Sequence, residues 1–189
     1  MSNKIKDIAI FGGKFDPPHL AHRMTIDLAL EKYKMDEVWL IPSFNHPFGF
    51  KTTSFEHRLE MCRIMSKLWK NDKVKVLTTE KEINSGFTID LIRHFTDIYP
   101  HFNFHLFIGA DNWKNKEKWK EFDQLEQLFK SIKIIGRGKD EFDGSALPDI
   151  SSTMIKEMIK NKESVSHFLI KDVKDYIIRN SLYISQEPV

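Results

Sequence analysis

The chain has 189 residues, 41% hydrophobic and 30% charged, with a formal net charge of +2. This is an ordinary globular balance, and the charge gives no ground for a nucleic-acid or membrane-surface partner. The one cysteine, Cys62, excludes an intrachain disulfide and reads as a small core residue, which suits a reducing compartment.

Apolar runs alternate with helical patterns along the chain. Residues 5–13, IKDIAIFGG, form a short isoleucine-rich run ending in glycines, a buried strand. Residues 22–33 carry Met24, Leu28, Ala29 and Leu30 at helical spacing. Residues 37–43, EVWLIPS, are a second strand stopped by Pro42. Residues 54–69 place Phe55, Leu59, Cys62, Met65 and Trp69 on one helical stripe. Residues 74–80, VKVLTTE, alternate and read as a third strand. Residues 88–99 form a helix with Ile89, Ile92, Phe95 and Tyr99 on its apolar face, halted by Pro100. Residues 102–111 are a strand whose end carries Gly109 and Asp111. Residues 116–130 read as a helix, 132–138 as a fifth strand, 138–149 as a polar loop, and 151–163 and 166–180 as two closing helices.

Strands alternating with helices predict an α/β fold: a doubly wound, Rossmann-like parallel sheet with helices on both faces. One domain over residues 1–189 is expected, with a helical segment from about residue 150. No stretch approaches the roughly 20 apolar residues of a membrane span. The first residues, MSNKIKDIAIFGG, hold too short an apolar run for a signal peptide. A cytoplasmic protein is expected.

The densest punctuation is FGGKFDPPHLAH, residues 11–22. Gly12 and Gly13 allow unusual dihedrals and close backbone approach. The helix that follows aims free N–H groups and its positive dipole end at the same space. Pro17 and Pro18 fix an extended approach and suit a first helical turn. His19 and His22 are then i and i+3 neighbours over a phosphate cradle. The spacing is neither a P-loop nor a dinucleotide fingerprint. From the residues alone three readings stay open: phosphate handling, part of a metal site, or a turn with surface histidines. No second Cys/His cluster supports zinc.

The sequence GGKFDPPHLAH resembles the G-G-x-F-D-P-x-H-x-G-H signature of the nucleotidylyltransferase superfamily. ISSTMIK, residues 150–156, resembles that superfamily's I-S-S-T-x-I-R motif. SGFTIDLI (85–92) and FIGADNWKNKEKWKEFDQL (107–125) are similar to segments of one branch, the nicotinate/nicotinamide mononucleotide adenylyltransferases. The resemblance spans most of residues 8–178.

The resemblance implies adenylyl transfer in NAD biosynthesis. The phosphate of nicotinate or nicotinamide mononucleotide attacks the α-phosphate of ATP, and pyrophosphate leaves. Mg2+ is implied as the ATP complex, travelling with substrate rather than in a protein cage. Such chemistry asks for positioning and for positive groups where charge develops. Catalytic roles fall to His19 and His22, and to Lys51 in the loop after the second strand. ATP binding falls to Gly12, Gly13, Phe15, Ser151, Ser152, Thr153 and Lys156. The mononucleotide falls to Phe87, Thr88, Gly109, Asp111, Trp119 and His46. Asp111 would accept from ribose hydroxyls, Trp119 would stack on the pyridine ring, and Phe87 and Thr88 would meet its carboxylate or amide.

Each residue also has a plainer reading. A serine at 151 or 152 caps a helix; Thr88 is an N-cap; Asp111 caps the next helix; Trp119 and Phe122 are core at helical spacing; Lys51, His46 and Arg58 are surface charge. The chain departs from the pattern at Ala21 for glycine, Lys156 for arginine, which loses the bidentate fork, and Phe87 for tyrosine. Rival expectations are a phosphopantetheine adenylyltransferase, a cytidylyltransferase, or a silent nucleotide-binding protein. Oligomerisation remains open.

Overall fold

The structure is a computed structural model that describes residues 5–44, 52–139 and 146–184. Six parallel strands form the sheet: β1 (Asp7–Gly13), β2 (Glu37–Pro42), β3 (Val74–Val76), β4 (Asn103–Gly109), β5 (Ser131–Arg137) and β6 (Ala146–Leu147). Their order is β3-β2-β1-β4-β5-β6. The strand order therefore reverses between β1 and β4, where sheets of this kind bind ligands beyond their carboxyl ends. Ile8 faces Glu37 on one side and Phe104 on the other, which centres β1 in the sheet.

Helices cover both faces. On one face α1 (Leu20–Asp27), α2 (Phe55–Ser66), α7 (Ser152–Lys160) and α8 (Lys171–Arg179) bury Ala21, Ile26, Met61, Cys62, Ile155, Val173 and Ile177. On the other, α4 (Thr88–Ile98) and α6 (Phe122–Leu128) bury Ile89, Ile92, Phe95 and Leu125 against Ile8, Ile10, Trp39 and Ile108. The C-terminal helices thus share the first core. No helix among the described residues is long and apolar enough to cross a membrane.

Several boundaries differ from the sequence reading. The third strand ends at Val76, and a short helix α3 (Thr79–Ile83) takes up what read as strand. Its Asn84 closes it in the left-handed conformation, φ 55°, which asparagine tolerates. The expected helix over 116–130 is broken. A 3₁₀ turn, Lys116–Lys118, is followed by extended Trp119, and Glu121 at φ 52° starts α6 afresh. The sequence KEKWKE offers no apolar stripe to hold that stretch against the sheet. Ion pairs do so instead: Arg93 to Glu121 at 2.7 Å and Lys120 to Asp90 at 3.1 Å. The expected loop 138–149 contains β6, and the last helix starts at Lys171 rather than 166. In α1 the buried stripe is Ala21, Thr25 and Ile26, and Met24 is exposed. Tyr99 lies outside α4 and is also exposed.

Candidate active site

The signature loop leaves β1 and is held from beneath by Arg58. This guanidinium is only 2% exposed and donates to the Lys14 carbonyl at 2.8 Å and the Thr53 carbonyl at 3.0 Å. It is a buried loop clamp rather than surface charge. Gly12 and Gly13 belong to β1 and adopt no left-handed backbone. The positive φ of the loop falls on Phe15, at 49°. The Phe15 ring is buried and packs edge-on against Phe11 and His22, leaving only its main chain for any nucleotide contact. The Asp16–Pro17 bond is cis. Helix α1 starts at Leu20, two residues beyond Pro18, so neither proline occupies its first turn.

His19 is the N-cap of α1 and His22 the third helical residue. Their rings stack at 3.7 Å. The His19 backbone N–H donates to His22 Nδ1 at 3.1 Å. That assigns the neutral His22 proton to Nε2. Burial, helped by the Arg137 charge, pulls the His19 pKa down to about 3. Burial, His19 and Arg137 hold His22 well below its ordinary value. Both imidazoles are therefore neutral near pH 7. His19 Nδ1 is buried with no hydrogen-bond partner among the described residues. Ala21 is buried in the core with its methyl accommodated.

The start of α7 is docked onto this loop. Ser151 caps α7 through Met154 N–H at 3.1 Å, and Ser152 Oγ donates to the Pro17 carbonyl at 2.9 Å. Thr153 is exposed. Lys156 Nζ lies 3.1 Å from Asp16 Oδ2, an aspartate only 2% exposed. Lys14 stands near enough that the Lys156 charge adds to burial in lowering its pKa. Lys14, Arg58 and Lys156 therefore gather about one buried carboxylate, Asp16, beside the start of α1.

On the far side of the reversal, β4 ends at Gly109, and α5 (Ala110–Trp113) begins at once. Asp111 lies inside α5 rather than at the strand end, and Gly109, not Asp111, is its N-cap. A Cβ on Gly109 would stand 2.8 Å from Asp111 Oδ1 and 3.6 Å from Arg137 Nη2, so glycine is required for the carboxylate to fold back here. Asp111, Arg137, Lys139, Asp149 and Ser151 line an open cleft of about 660 Å³. Sequence reasoning missed Arg137; its one signal was a basic residue closing the apolar run IKIIGRG before a glycine.

Phe87, Thr88 and Trp119 lie on the opposite face of the sheet. Gly86, at φ 73°, turns the chain so that Phe87 N-caps α4 without a side-chain cap bond. Thr88 is thus the first helical residue and not the cap. Trp119 is partly buried and packs edge-on toward Phe122, 6.4 Å between ring centroids. Its neighbour Lys120 reaches α4, with Nζ 5.1 Å from the Phe87 ring. The structure therefore brings Trp119, Phe87 and Thr88 into one neighbourhood, although Trp119 is not part of a helix. His46 and Lys51 lie outside the described residues.

Glu80 sits beside this neighbourhood, 9% exposed, and its Oε2 has no partner among the described residues. Burial and nearby Asp90 lift its carboxyl from 4.5 to about 7. Its folded pKa is raised, so its contribution to stability is intact below pH 4.5 and is lost as pH climbs through about 7. Glu80→Gln is expected to be near-neutral at pH 5 and stabilising by about 1–3 kcal/mol at pH 8. Denaturant unfolding at the two pH values measures this, and an equal effect at both would refute it.

A sequence model of the cytidylyltransferase-like family matches residues 10–158. A "Probable nicotinate-nucleotide adenylyltransferase" of Anaeromyxobacter dehalogenans (strain 2CP-C) is 35% identical over 94% of this chain and 97% of its own. The chain belongs to the nicotinate-nucleotide adenylyltransferase family. The Bacillus subtilis nicotinate-nucleotide adenylyltransferase is 31% identical over 96% of this chain and 100% of its own. Among solved structures, the Plasmodium falciparum nicotinic acid mononucleotide adenylyltransferase complexed with NaAD superposes with a TM-score of 0.79 at 22% identity. It covers 94% of this chain and 97% of that one. The doubly wound sheet is therefore the fold of this family, and the chain is a nucleotidyltransferase.

Proposed function

We propose that this enzyme joins ATP to nicotinate mononucleotide in preference to nicotinamide mononucleotide, releasing pyrophosphate. A phosphate oxygen of the mononucleotide attacks the α-phosphorus of ATP. The bond from that phosphorus to the bridging oxygen breaks, and the electron pair leaves with pyrophosphate. The observation that supports this most directly is the pair of stacked neutral imidazoles at the N-terminus of α1, at the strand-order reversal.

In this scheme His22 Nε2–H donates to the phosphates in flight, and His19 Nδ1 finds its partner there. Gly12, Gly13 and the Phe15 main chain flank the triphosphate. The α7 start, with Ser151, Ser152 and Thr153, holds the β- and γ-phosphates together with Lys156. Asp111 and the Gly109 turn take a ribose, and Trp119 stacks on the pyridine. Lys51 and His46 retain the roles the resemblance implies. Preference for the carboxylate is supported by the uncapped first turn of α4 at Phe87 and Thr88 and by the Lys120 ammonium beside it. It is also supported by the relatives' names. Among the described residues no three His, Cys, Asp or Glu side chains group to hold a metal ion, and Mg2+ would arrive bound to the ATP substrate.

Pyrophosphate release with ATP and Mg2+, run with each mononucleotide, tests the scheme. The expected result is kcat/KM at least about tenfold higher with nicotinate mononucleotide, the scale of one charge-assisted hydrogen bond. No release with either, while ATP still binds, would turn the assignment toward phosphopantetheine adenylyltransferase, cytidylyltransferase or a silent binder.

A further inference from the structure

The chain reaches the signature loop a second time, from its far end. After α8 the chain turns back through Ser181 and Tyr183, both left-handed at φ 50° and 66°. Non-glycine residues take that conformation at a cost and hold it only where surrounding contacts over-determine it. Here the turn is closed by Leu182 N–H donating to the Ile177 carbonyl at 3.0 Å, and Ile177 is 3% exposed in the core. The result sends the Tyr183 side chain inward. Its hydroxyl donates to Asp16 Oδ1 at 2.8 Å, across 167 residues of sequence. Burial and the adjacent Asp16 charge push the Tyr183 pKa up, so the hydroxyl keeps its proton. The Thr53 side chain lies close enough to act on the Tyr183 hydroxyl.

Asp16 is thereby divided between two duties. Oδ1 is held by Tyr183; Oδ2 receives Lys156 Nζ at 3.1 Å and Thr53 N–H at 3.4 Å. We propose that Tyr183 is a positioning residue of the nucleotide site: by anchoring Oδ1 of Asp16 it sets where Oδ2 presents the Lys156 ammonium. A lysine lacks the planar fork that would orient an arginine at this position, so the direction of its charge must come from its partner. The Tyr183 bond also satisfies part of the Asp16 charge. Without it, a buried carboxylate oxygen left unpartnered would draw Lys156 more tightly onto itself and away from the β- and γ-phosphates.

This inference rests on ATP lying over the signature loop, and calorimetric binding separates it from the chemistry. Titrations of ATP·Mg2+ and of AMP are made into wild type and Tyr183→Phe, with the same pair in a Lys156→Met background. Tyr183→Phe is expected to weaken ATP binding about tenfold while AMP, which lacks the β- and γ-phosphates, changes by less than twofold. In the Lys156→Met background the substitution should add nothing further. Equal weakening of ATP and AMP would show general damage to the loop and overturn the proposal, as would unchanged ATP affinity. Wild type that binds ATP but releases no pyrophosphate would sink the adenylyl-transfer reading and leave the Tyr183 test valid. Wild type that does not bind ATP at all would overturn both. If Tyr183→Phe unfolds, Thr53→Val, which removes a hydroxyl beside that of Tyr183, gives a milder version with the same expected ATP-selective loss.

Discussion

Replacing His22 by alanine is expected to lower kcat by about 100- to 1000-fold, the range for removing one well-aimed donor from a transition-state site. The geometry makes this donor specific. His22 Nδ1 is occupied by the His19 backbone N–H at 3.1 Å, so Nε2 alone carries the proton. Its pKa is held well below the ordinary value by burial, His19 and Arg137, so the donor is uncharged before substrate arrives. A triphosphate placed there would raise that pKa and favour the imidazolium, a stronger hydrogen-bond donor, as negative charge accumulates. An alanine also removes the ring stacked on His19 and packed on Phe15. His22→Gln separates the two effects, because it keeps an amide N–H near the same point. Steady-state kinetics with circular dichroism as the folding control decides: kcat within threefold of wild type for the alanine variant would remove His22 from the chemistry.

Much of this site was legible because its signal is local. The residues between Phe11 and His22 announce a loop and a helix start through glycine, proline and histidine spacing alone. The order of α2, β2, β4 and α4 follows from apolar periods that tertiary packing did not override. What was not legible depends on contacts distant in sequence. Arg58 reads as a surface residue opening a helix; it is buried because the Lys14 carbonyl, 44 residues away, accepts from it. Asp16 stands within the signature, yet its burial needs Lys156 and Tyr183 from the other end of the chain. The break at Glu121 needs Arg93 on a neighbouring helix. The expected dihedral freedom of Gly12 and Gly13 went unused, and Phe15 took the left-handed position because its ring fills the space beneath His22.

Trp119→Ala is expected to raise KM for the mononucleotide by about 10- to 100-fold, with KM for ATP within threefold of wild type. Stacking of a flat heteroaromatic ring on an indole is lost at a scale of about 1–3 kcal/mol, which is that range. The split is expected because Trp119 and the signature histidines lie on opposite faces of the sheet. Trp119 packs against the core formed by α4 and α6, whereas Ala21 of α1 and Ile155 of α7 belong to the other. Trp119 is also placed to be removable without collapse. It lies in an extended stretch between a 3₁₀ turn and α6, and that stretch is tethered by Lys120 to Asp90 and by Glu121 to Arg93. Those tethers survive the substitution and keep Phe87 and Thr88 in register. Trp119→Phe should recover most of the loss, because it restores a flat face. Equal rises in both KM values with a falling Tm would instead make Trp119 ordinary core, and would move the pyridine site elsewhere along the carboxyl edge.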